Sequence, residues 1–274
     1  GRNSEGVLGV NDNTSRLTPV QVWGISSSAV AVACGQYFMA ILLANGTVRT
    51  VGYNIFGTLG VNDTNTRSTP VPVWGISSSA TAIACGWGIT AVLLADGTIR
   101  TFGRNDFGQL GVNDNTTRST PVQVLNITSA TAVAGGRYHT AAILADGTVR
   151  TFGANSSGQL GVNDTTSRLT PVQVFGISSS AVAVACGSNH TAVLLADGTV
   201  RTFGVNQFGQ LGLNDGTQRN TPVQVFGISS SATAVACGRY FTSVLLADGS
   251  VRTFGQNGNG QLGVGDTAST RVRD

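Results

Sequence analysis

The apolar positions of this chain form four short patterns that recur along the sequence. Within residues 170–204, TPVQV opens with a proline, SAVAVAC alternates small and branched residues, TAVLLA is nearly all apolar, and TVRTFG alternates again. Short runs of this kind, separated by turn residues, are typical of β-strands, and proline suits the start of a strand. An Asp-Gly pair between two of the runs favours a hairpin. The pattern predicts four antiparallel strands per unit and essentially no helix.

The four-strand unit repeats over the whole chain. A proline marks each copy, at spacings of 51, 51, 50 and 51 residues: Pro19, Pro70, Pro121, Pro171 and Pro222. The repeats span approximately residues 1–51, 52–102, 103–152, 153–203 and 204–254, with a partial repeat at 255–274. Four antiparallel strands in about 50 residues form one blade of a β-propeller. We therefore predict an all-β fold and a single repeat domain over residues 1–274, with five four-stranded blades in a closed ring or an open arc.

Composition and charge narrow the function classes. The 274 residues include 37 glycines and are 41% hydrophobic, which argues against a helical protein and against a disordered one. The formal net charge is +3 without a basic tail, so tight non-specific binding to nucleic acid is not expected. No apolar run approaches the roughly 18 residues that a membrane-spanning helix needs. We predict neither a nucleic-acid partner nor a membrane span.

Residues 185–212, ACGSNHTAVLLADGTVRTFGVNQFGQLG, resemble the repeat of the regulator-of-chromosome-condensation family. The resemblance implies a β-propeller, and the best-known members of that family have seven blades, whereas this chain supplies five repeats. Secreted bacterial relatives often carry a cross-strand cysteine pair. Ala192 and Thr202 occupy those positions here, so that disulfide is not expected. The family also suggests an alternative function, regulation of a small GTPase or of chromatin, although no specialised exchange element or basic extension is visible.

Comparison between the repeats separates scaffold from candidate site. Two arginine positions and two aspartate positions recur, and we interpret them as loop-pinning ion pairs and turn residues. One recurrent set consists of Arg16, Arg67, Arg118, Arg168, Arg219 and Arg271. A calcium-binding ring is the alternative, but the D-x-[DN]-x-[DN]-G spacing is absent. The four cysteines are equivalent as well, and we expect small buried side chains instead of disulfides.

Material for catalysis or cofactor binding is scarce. The chain has two histidines, His139 and His190, at equivalent positions, and one glutamate, Glu5. No nucleophile accompanies a base and an orienting group, and the G-x-G-x-x-G of residues 258–263 has no helix after it to present to a phosphate. We predict no catalytic residue, no metal, no cofactor and no enzymatic activity. An enzyme that uses the propeller channel is the weaker alternative.

Variation between the repeats concentrates in the turn after each Cys-Gly pair. Aromatic residues and arginines dominate there, and these residue types anchor protein interfaces. The candidate protein-binding residues are Tyr37, Phe38, Trp87, Arg137, Tyr138, His139, Asn189, His190, Arg239, Tyr240 and Phe241. The alternatives are that turn residues drift freely or that the aromatic side chains pack between blades, and for the histidines a structural role is favoured. A second variable stretch lies in the long loop, as in residues 53–56 and 104–107, with a weaker case.

The two ends of the chain duplicate each other. Residues 1–20 and 255–274 cover the same part of the repeat, and the chain closes on TRVRD where a first strand is expected to begin. Between molecules, the C-terminal segment of one chain would extend the next chain, and a head-to-tail contact that does not close makes a filament. We predict a non-enzymatic protein-binding or structural propeller, either a binding module or a self-assembling fibre subunit. The absence of lysine and the Thr/Ser/Asn/Gly-rich composition favour an extracellular or cell-surface location.

Overall fold

The chain folds into five antiparallel sheets whose strands follow one another in chain order. The computed structural model describes residues 1–269, and this range contains 19 strands and no helix. Four sheets have four strands and one has three. The sheets are the blades of an all-β propeller, as the sequence predicts. The fourth strand expected in the last blade falls on residues 270–274, which lie outside the described residues.

The blades have closely similar strand lengths. The first contains β1 (Ala29–Cys34), β2 (Phe38–Leu43), β3 (Val48–Gly52) and β4 (Arg67–Pro72). The second contains β5 (Ala80–Cys85), β6 (Ile89–Leu94), β7 (Ile99–Gly103) and β8 (Arg118–Gln123). The third contains β9 (Ala130–Gly135), β10 (His139–Leu144), β11 (Val149–Gly153) and β12 (Arg168–Gln173). The fourth contains β13 (Ala181–Cys186), β14 (His190–Leu195), β15 (Val200–Gly204) and β16 (Arg219–Gln224). The fifth contains β17 (Ala232–Cys237), β18 (Phe241–Leu246) and β19 (Val251–Gly255).

The proline-bearing strand is the last strand of its blade, not the first as the sequence suggests. Thr50 of β3 pairs with Val71 of β4, so the strand that contains Pro70 closes the sheet begun by β1. Proline has no N–H to donate and is therefore tolerated at a sheet edge, which is where β4 lies. Residues 1–28 consequently precede the first complete blade.

The first strand of each blade lines the central channel. Neighbouring inner strands contact one another from β1 to β17, and their ends surround one cavity. Five strands can converge only if their side chains are small, which explains the Ala-rich pattern of these strands. The apolar second strands lie between two blade faces, and β10 and β14 are buried along their whole length. The core therefore consists of four separate layers between consecutive blades, each filled by aliphatic side chains and phenylalanine.

The recurrent charged side chains form local ion pairs and turn contacts within the loops, as the sequence predicts. Each Asp-Gly hairpin uses its carboxylate locally: Asp96 Oδ1 accepts hydrogen bonds from the amide and the hydroxyl of Thr98. In the long loops, aspartate and arginine four residues apart form ion pairs: Asp12–Arg16, Asp63–Arg67, Asp114–Arg118, Asp164–Arg168 and Asp215–Arg219. The Arg168 guanidinium is the main cause that lowers the pKa of Asp164. Arg271, the last member of this set, lies outside the described residues.

The blades form an open arc in the part of the chain that the structure describes. Val32 on β1 is 62% exposed, whereas its counterpart Ile83 is half-buried against the first blade. At the other end Val251 is 59% exposed, whereas its counterpart Val200 is fully buried. The outward faces of the first and fifth blades therefore lack the neighbour that every interior blade has.

Residues 1–28 cover one part of the outward face of the first blade. Ile25 packs against Ile41 and Leu43, and the amide of Asn11 donates to the carbonyl of Ser68. The corresponding amide of Asn62 donates to Ser119 in the second blade. The N-terminal segment thus takes the position of the outer part of a preceding blade, without the three inner strands.

The surroundings of each cysteine also depend on whether a blade precedes its own blade. All four are free thiols, and three of them are directed at a carbonyl of the preceding blade, as Cys85 Sγ is at 3.6 Å from the Ala33 oxygen. Burial raises the pKa of the Cys85 thiol to about 12. Cys34 has no preceding blade and is exposed.

Candidate protein-binding face

The two variable stretches of the repeat meet at one end of the propeller. The turn after β1 carries Tyr37, and the long loop after β3 carries Tyr53. Their ring centroids are 6.2 Å apart in an edge-to-face arrangement. The amide of Tyr53 also donates to the carbonyl of Tyr37, so the backbone fixes one stretch against the other. The sequence treats these stretches as separate candidates, and the fold joins them.

Aromatic rings continue this contact across the first three blades. Phe56 lies 6.5 Å from Tyr53 and 6.2 Å from Trp87 by ring centroids. Tyr138 lies 5.4 Å from Trp87 and 5.2 Å from Phe107. These separations are those of interacting aromatic pairs. We call the connected set the aromatic strip: Tyr37, Tyr53, Phe56, Trp87, Phe107 and Tyr138.

Two arginines lie over the centre of the aromatic strip. The Arg104 guanidinium carbon is 4.8 Å from the Trp87 ring centroid, and that of Arg137 is 5.3 Å from the same ring. Arg137 also lies 4.9 Å from the Tyr138 ring. A guanidinium within about 6 Å of an aromatic face is attracted by the ring quadrupole. These contacts hold both rings and both cations in defined positions before any partner arrives.

The fourth blade interrupts the aromatic surface. Its turn carries Ser188 and Asn189 where the third blade has Arg137 and Tyr138. A smaller cluster follows in the fifth blade, where Tyr240 lies 5.4 Å from Phe208 and 4.9 Å from the Arg239 guanidinium carbon. Asn189 is half-buried.

The mouth of the central channel opens beside the aromatic strip. The cavity there measures about 530 Å³, and the variable side chains that line it are Gln36, Trp87, Arg137, Ser188 and Arg239. Glycine precedes each of these residues because a Cβ there would collide with a side chain of the same turn and, at Gly86, Gly136 and Gly187, also with a backbone carbonyl of the next blade. A Cβ on Gly86 would collide with the Gly136 carbonyl oxygen, to which the Trp87 amide donates at 3.2 Å. The rim of the mouth is therefore rigid backbone that positions variable side chains.

Three candidate residues are scaffold and not part of the binding face. Phe38 is 2% exposed, and His139 and His190 are fully buried. Each of these rings lies directly against the glycine that starts its turn, in the space where a Cβ would stand. A buried ring cannot contact a partner, so these residues are removed from the predicted binding set. Phe241 holds the same position and is half-buried.

The buried histidines are neutral hydrogen-bond donors. His139 Nε2 lies 2.9 Å from Thr191 Oγ1, and that hydroxyl donates its own proton to the Gln159 carbonyl. The histidine must therefore donate from Nε2, and it cannot act as a base toward the threonine. Burial lowers the pKa of His139 to about 3 and that of His190 to about 4. His190 repeats the arrangement with Thr242.

Several residues of the face are missed by the sequence-based candidate set. Tyr53, Phe56, Arg104, Phe107 and Phe208 lie in the long loop, whose variation is the weaker signal. The signal that identifies them is an aromatic or charged residue at a position where other repeats have serine or alanine. Among residues 1–269, no group of three or more His, Cys, Asp or Glu side chains is placed to hold a metal ion. The described residues also contain no helix with the length and apolarity to cross a membrane.

Comparison with known proteins agrees with this architecture. A family model described as the RCC1-like domain matches residues 1–273. The chain belongs to the RCC1-like domain family. Among solved structures, this RCC1-like domain resembles yeast RCC1 (Prp20) in its complex with Kap60, with a TM-score of 0.84 and 20% identity over 97% of this chain and 68% of that one. It also resembles human WBSCR16, with a TM-score of 0.79 and 22% identity over 89% of this chain and 65% of that one. At these identities the likeness shows the fold alone.

Curated relatives are more similar in sequence. The RCC1-like domain is 34% identical to the probable E3 ubiquitin-protein ligase HERC4 of Mus musculus, over 98% of this chain and 20% of that protein. It is 38% identical to the X-linked retinitis pigmentosa GTPase regulator of Canis lupus familiaris, over 98% of this chain and 28% of that protein. It is 32% identical to the ultraviolet-B receptor UVR8 of Arabidopsis thaliana, over 97% of this chain and 50% of that protein. The chain thus spans a fifth to a half of the length of these relatives.

Proposed function

We propose that this RCC1-like domain is a non-enzymatic module that binds a protein partner through the aromatic strip and the channel mouth. The observation that carries the proposal is the connected aromatic and arginine surface on one end of the propeller. Tyrosine, tryptophan and arginine supply much of the binding energy at protein interfaces. Here the rings and guanidinium groups already hold one another, so binding loses less side-chain entropy than it would with mobile residues.

The comparisons support protein binding in general terms. The yeast protein of similar fold is described in complex with Kap60, and its binding properties to Gsp1p and histones are described as well. The ligase named for HERC4 is not carried over, because this chain corresponds to 20% of that protein. The hydrogen-bond direction at His139 and His190 further supports a role without acid–base chemistry.

The face is tested by giving the second and third blades the residues of the fourth. The double variant Trp87→Ser, Tyr138→Asn introduces at the centre of the aromatic strip the residues that the fourth blade has at the equivalent positions, Ser188 and Asn189. The fold already accommodates these residues there. The partner is first identified by photo-crosslinking from position 107 in the source cells, and its affinity is then measured with purified protein. We expect the double variant to lose about 30-fold in affinity, or about 2 kcal/mol. Trp74→Phe, which copies Phe175, is the matched control and retains the affinity. Equal affinity of the double variant would reject the proposal.

Regulation of a small GTPase is a second candidate, favoured by the 38% identity to the GTPase regulator. It uses the same face and differs in the partner. Nucleotide release from the crosslinked partner, measured with and without the RCC1-like domain, separates the two functions. Faster release supports the regulator, and an unchanged rate with intact binding supports a plain binding module.

We also propose that the chain self-associates end to end through its two uncovered blade faces. Leu245 and Val251 of the fifth blade correspond to Leu194 and Val200, which pack against the fifth blade in the interior of the arc. Val32 on the first blade corresponds to Val235, on the face that receives them. The two outward faces therefore carry the same apolar residues that pack against each other between consecutive interior blades. A head-to-tail contact of this kind gives a filament when its rotation does not close a ring.

Light scattering of three chains tests the end-to-end contact. The chain of residues 1–274 is expected to grow in mass with concentration, whereas Val251→Arg stays monomeric because it places a charge in the apolar face. Loss of assembly only on removal of residues 258–274 would assign the contact to the C-terminal segment instead. If the chain of residues 1–274 is monomeric at all concentrations, both versions are rejected.

The extracellular or cell-surface location remains a proposal from composition. It is supported by the absence of lysine among the 16 basic residues. Fractionation of the source culture into medium, envelope and cell contents tests it, and recovery from the cell contents alone would reject it.

A further inference from the structure

The channel mouth carries positive charge without the acidic partners found elsewhere in the propeller. Arginines of the recurrent loop set pair with aspartates in five blade-equivalent positions. Arg137 and Arg239 both line the mouth and form no ion pair within residues 1–269. The residues that line the cavity include no aspartate and no glutamate. Asp106, which precedes Phe107 of the aromatic strip, is already paired with Arg104. The mouth is therefore a fixed cationic site.

Arg137 is held in a state that favours an incoming acceptor. Its guanidinium lies against Trp87 and Tyr138, and its Nε–H is buried without a hydrogen-bond partner in the described part of the chain. A buried donor without an acceptor is costly, whereas a hydrogen bond between guanidinium and carboxylate is among the strong ones. Arg137 lines the cavity and has no acidic partner within residues 1–269, so a carboxylate that enters the mouth can pair with the part of its guanidinium that faces the cavity.

We propose that the partner inserts an acidic peptide segment, rich in Asp and Glu, into the channel mouth, with carboxylates at Arg137 and Arg239 and an apolar side chain against Trp87. This inference rests on the proposed function and adds the chemical class of the partner. The volume of about 530 Å³ lies within the range of built ligand sites, about 300–1,000 Å³. Two arginines suit a short acidic segment better than a nucleic-acid backbone, which needs a track of cations along many phosphates.

The probe is a synthetic peptide of glutamate, aspartate and leucine, capped at both ends. Binding is followed by the fluorescence of Trp87 in a chain with Trp23→Phe and Trp74→Phe, which copy Phe175 and Phe226 and leave one tryptophan. The matched control peptide replaces each acid by glutamine or asparagine. We expect saturable binding of the acidic peptide that weakens as salt is added, and at least about tenfold weaker binding of the amide peptide.

Substitution of the arginines locates the effect. Arg137→Ser and Arg239→Ser both copy Ser188 of the fourth blade, and each is expected to weaken the acidic peptide at least about tenfold. Arg2→Ser is the control, since Arg2 lies over Tyr37 and does not line the cavity. This control variant is expected to bind the peptide as the parent does.

The outcomes separate this inference from the proposed function. Equal binding of acidic and amide peptides, no binding of either, or tighter binding of a single-stranded oligonucleotide would each overturn the acidic-segment proposal. In all three cases the proposed function is still tested separately, because the partner affinity of the Trp87→Ser, Tyr138→Asn variant decides whether the face binds protein. Loss of partner affinity in that variant together with a selective acidic-peptide response supports both.

Discussion

At the scale of single residues, one buried slot per blade explains the histidines. Phe38, His139, His190 and Phe241 all place a ring against the glycine that starts the turn, and Ile89 takes the same position in the second blade. The slot accepts any flat or branched side chain of suitable size. Histidine adds one hydrogen bond, from Nε2 to a threonine of the next blade, and leaves its Nδ1 without a partner in the described residues. Both histidines must therefore stay neutral while the protein is folded.

This slot makes the folded state sensitive to mild acid. The pKa values of about 3 for His139 and about 4 for His190 lie below the unfolded value of 6.5, so the unfolded chain takes up protons first. The contribution of each histidine to the free energy of unfolding is fully present above about pH 6.5. It falls as the pH drops, by up to about 1.4 kcal/mol per pH unit for each histidine. We expect the free energy of unfolding, measured with urea, to be about 2 kcal/mol lower per histidine at about pH 5 than at about pH 7.

Phenylalanine at both positions should remove this sensitivity. His139→Phe with His190→Phe copies Phe38 and Phe241, and its urea midpoint is expected to change little between about pH 7 and about pH 5. The aspartates do not contribute in this range, because their pKa values are lowered from 3.8, as for Asp114 and Asp164. An equally steep pH dependence in the double variant would contradict the assignment.

At the scale of elements, a buried amide and not the ion pair holds each long loop. Asn105 is fully buried; its Nδ2 donates to the Asp114 carbonyl at 2.8 Å and its Oδ1 accepts from the Leu110 amide at 3.0 Å. The Asp114–Arg118 pair lies at the surface, with 38% of the Asp114 side chain and 26% of the Arg118 side chain exposed. Water and salt screen such a pair, so it contributes little.

Two substitutions in this loop should therefore differ in cost. Asn105→Ala leaves a buried amide and a buried carbonyl without partners, and we expect it to lower the free energy of unfolding by about 3 kcal/mol. Arg118→Gln removes the surface pair and an exposed hydrogen bond from Arg118 to the Thr116 carbonyl, and it should cost less than about 1 kcal/mol. Thermal or urea unfolding of the two variants provides the comparison. A larger loss from Arg118→Gln would show that the ion pair is the principal support of the loop.

At the scale of the whole molecule, residues 1–269 repeat one interface between consecutive blades, and the outward faces of the first and fifth blades have no neighbouring blade within these residues. In repeat proteins, stability is close to a sum of unit and neighbour contributions, so an uncovered end lacks one neighbour contribution. The exposed Val251 and Val32 mark the two halves of that missing contact. Cys34 lies on the same outward face and is exposed, whereas the other three cysteines are directed at a preceding blade.

Cys34 therefore reports on the end-to-end contact. We expect a maleimide reagent to label Cys34 readily in dilute protein and poorly in concentrated protein, because a docked fifth blade covers it as the first blade covers Cys85. Mass spectrometry of the labelled peptides separates Cys34 from the other cysteines. Val251→Arg is expected to keep Cys34 reactive at every concentration. Labelling of residues 1–274 that is independent of concentration would reject the contact.

The sequence alone determines the blade and much of its local chemistry. The period of about 50 residues and the alternation within it predict four antiparallel strands, since alternation places side chains on opposite faces whatever the surroundings. The Asp-Gly turns and the aspartate–arginine pairs are equally local: both partners lie within five residues, so their contacts follow from the strand and loop geometry of one repeat. The position of the proline strand within the blade is misjudged, because this strand lies along the chain between two blades and the sequence is compatible with its pairing in either sheet.

The tertiary structure decides the candidate site and the state of the ends. Two adjacent aromatic residues after Cys-Gly have different surroundings. Phe38 is buried in the slot beneath the turn, while Tyr37 belongs to the aromatic strip. The contact between Tyr138 and Trp87 joins different blades, so the strip depends on how blades are arranged around the channel and not on any one repeat. The exposed faces at Val32 and Val251 arise in the same way. Identical repeat sequences are buried or exposed according to whether a neighbouring blade stands beside them, which is a property of the assembly and not of the residues.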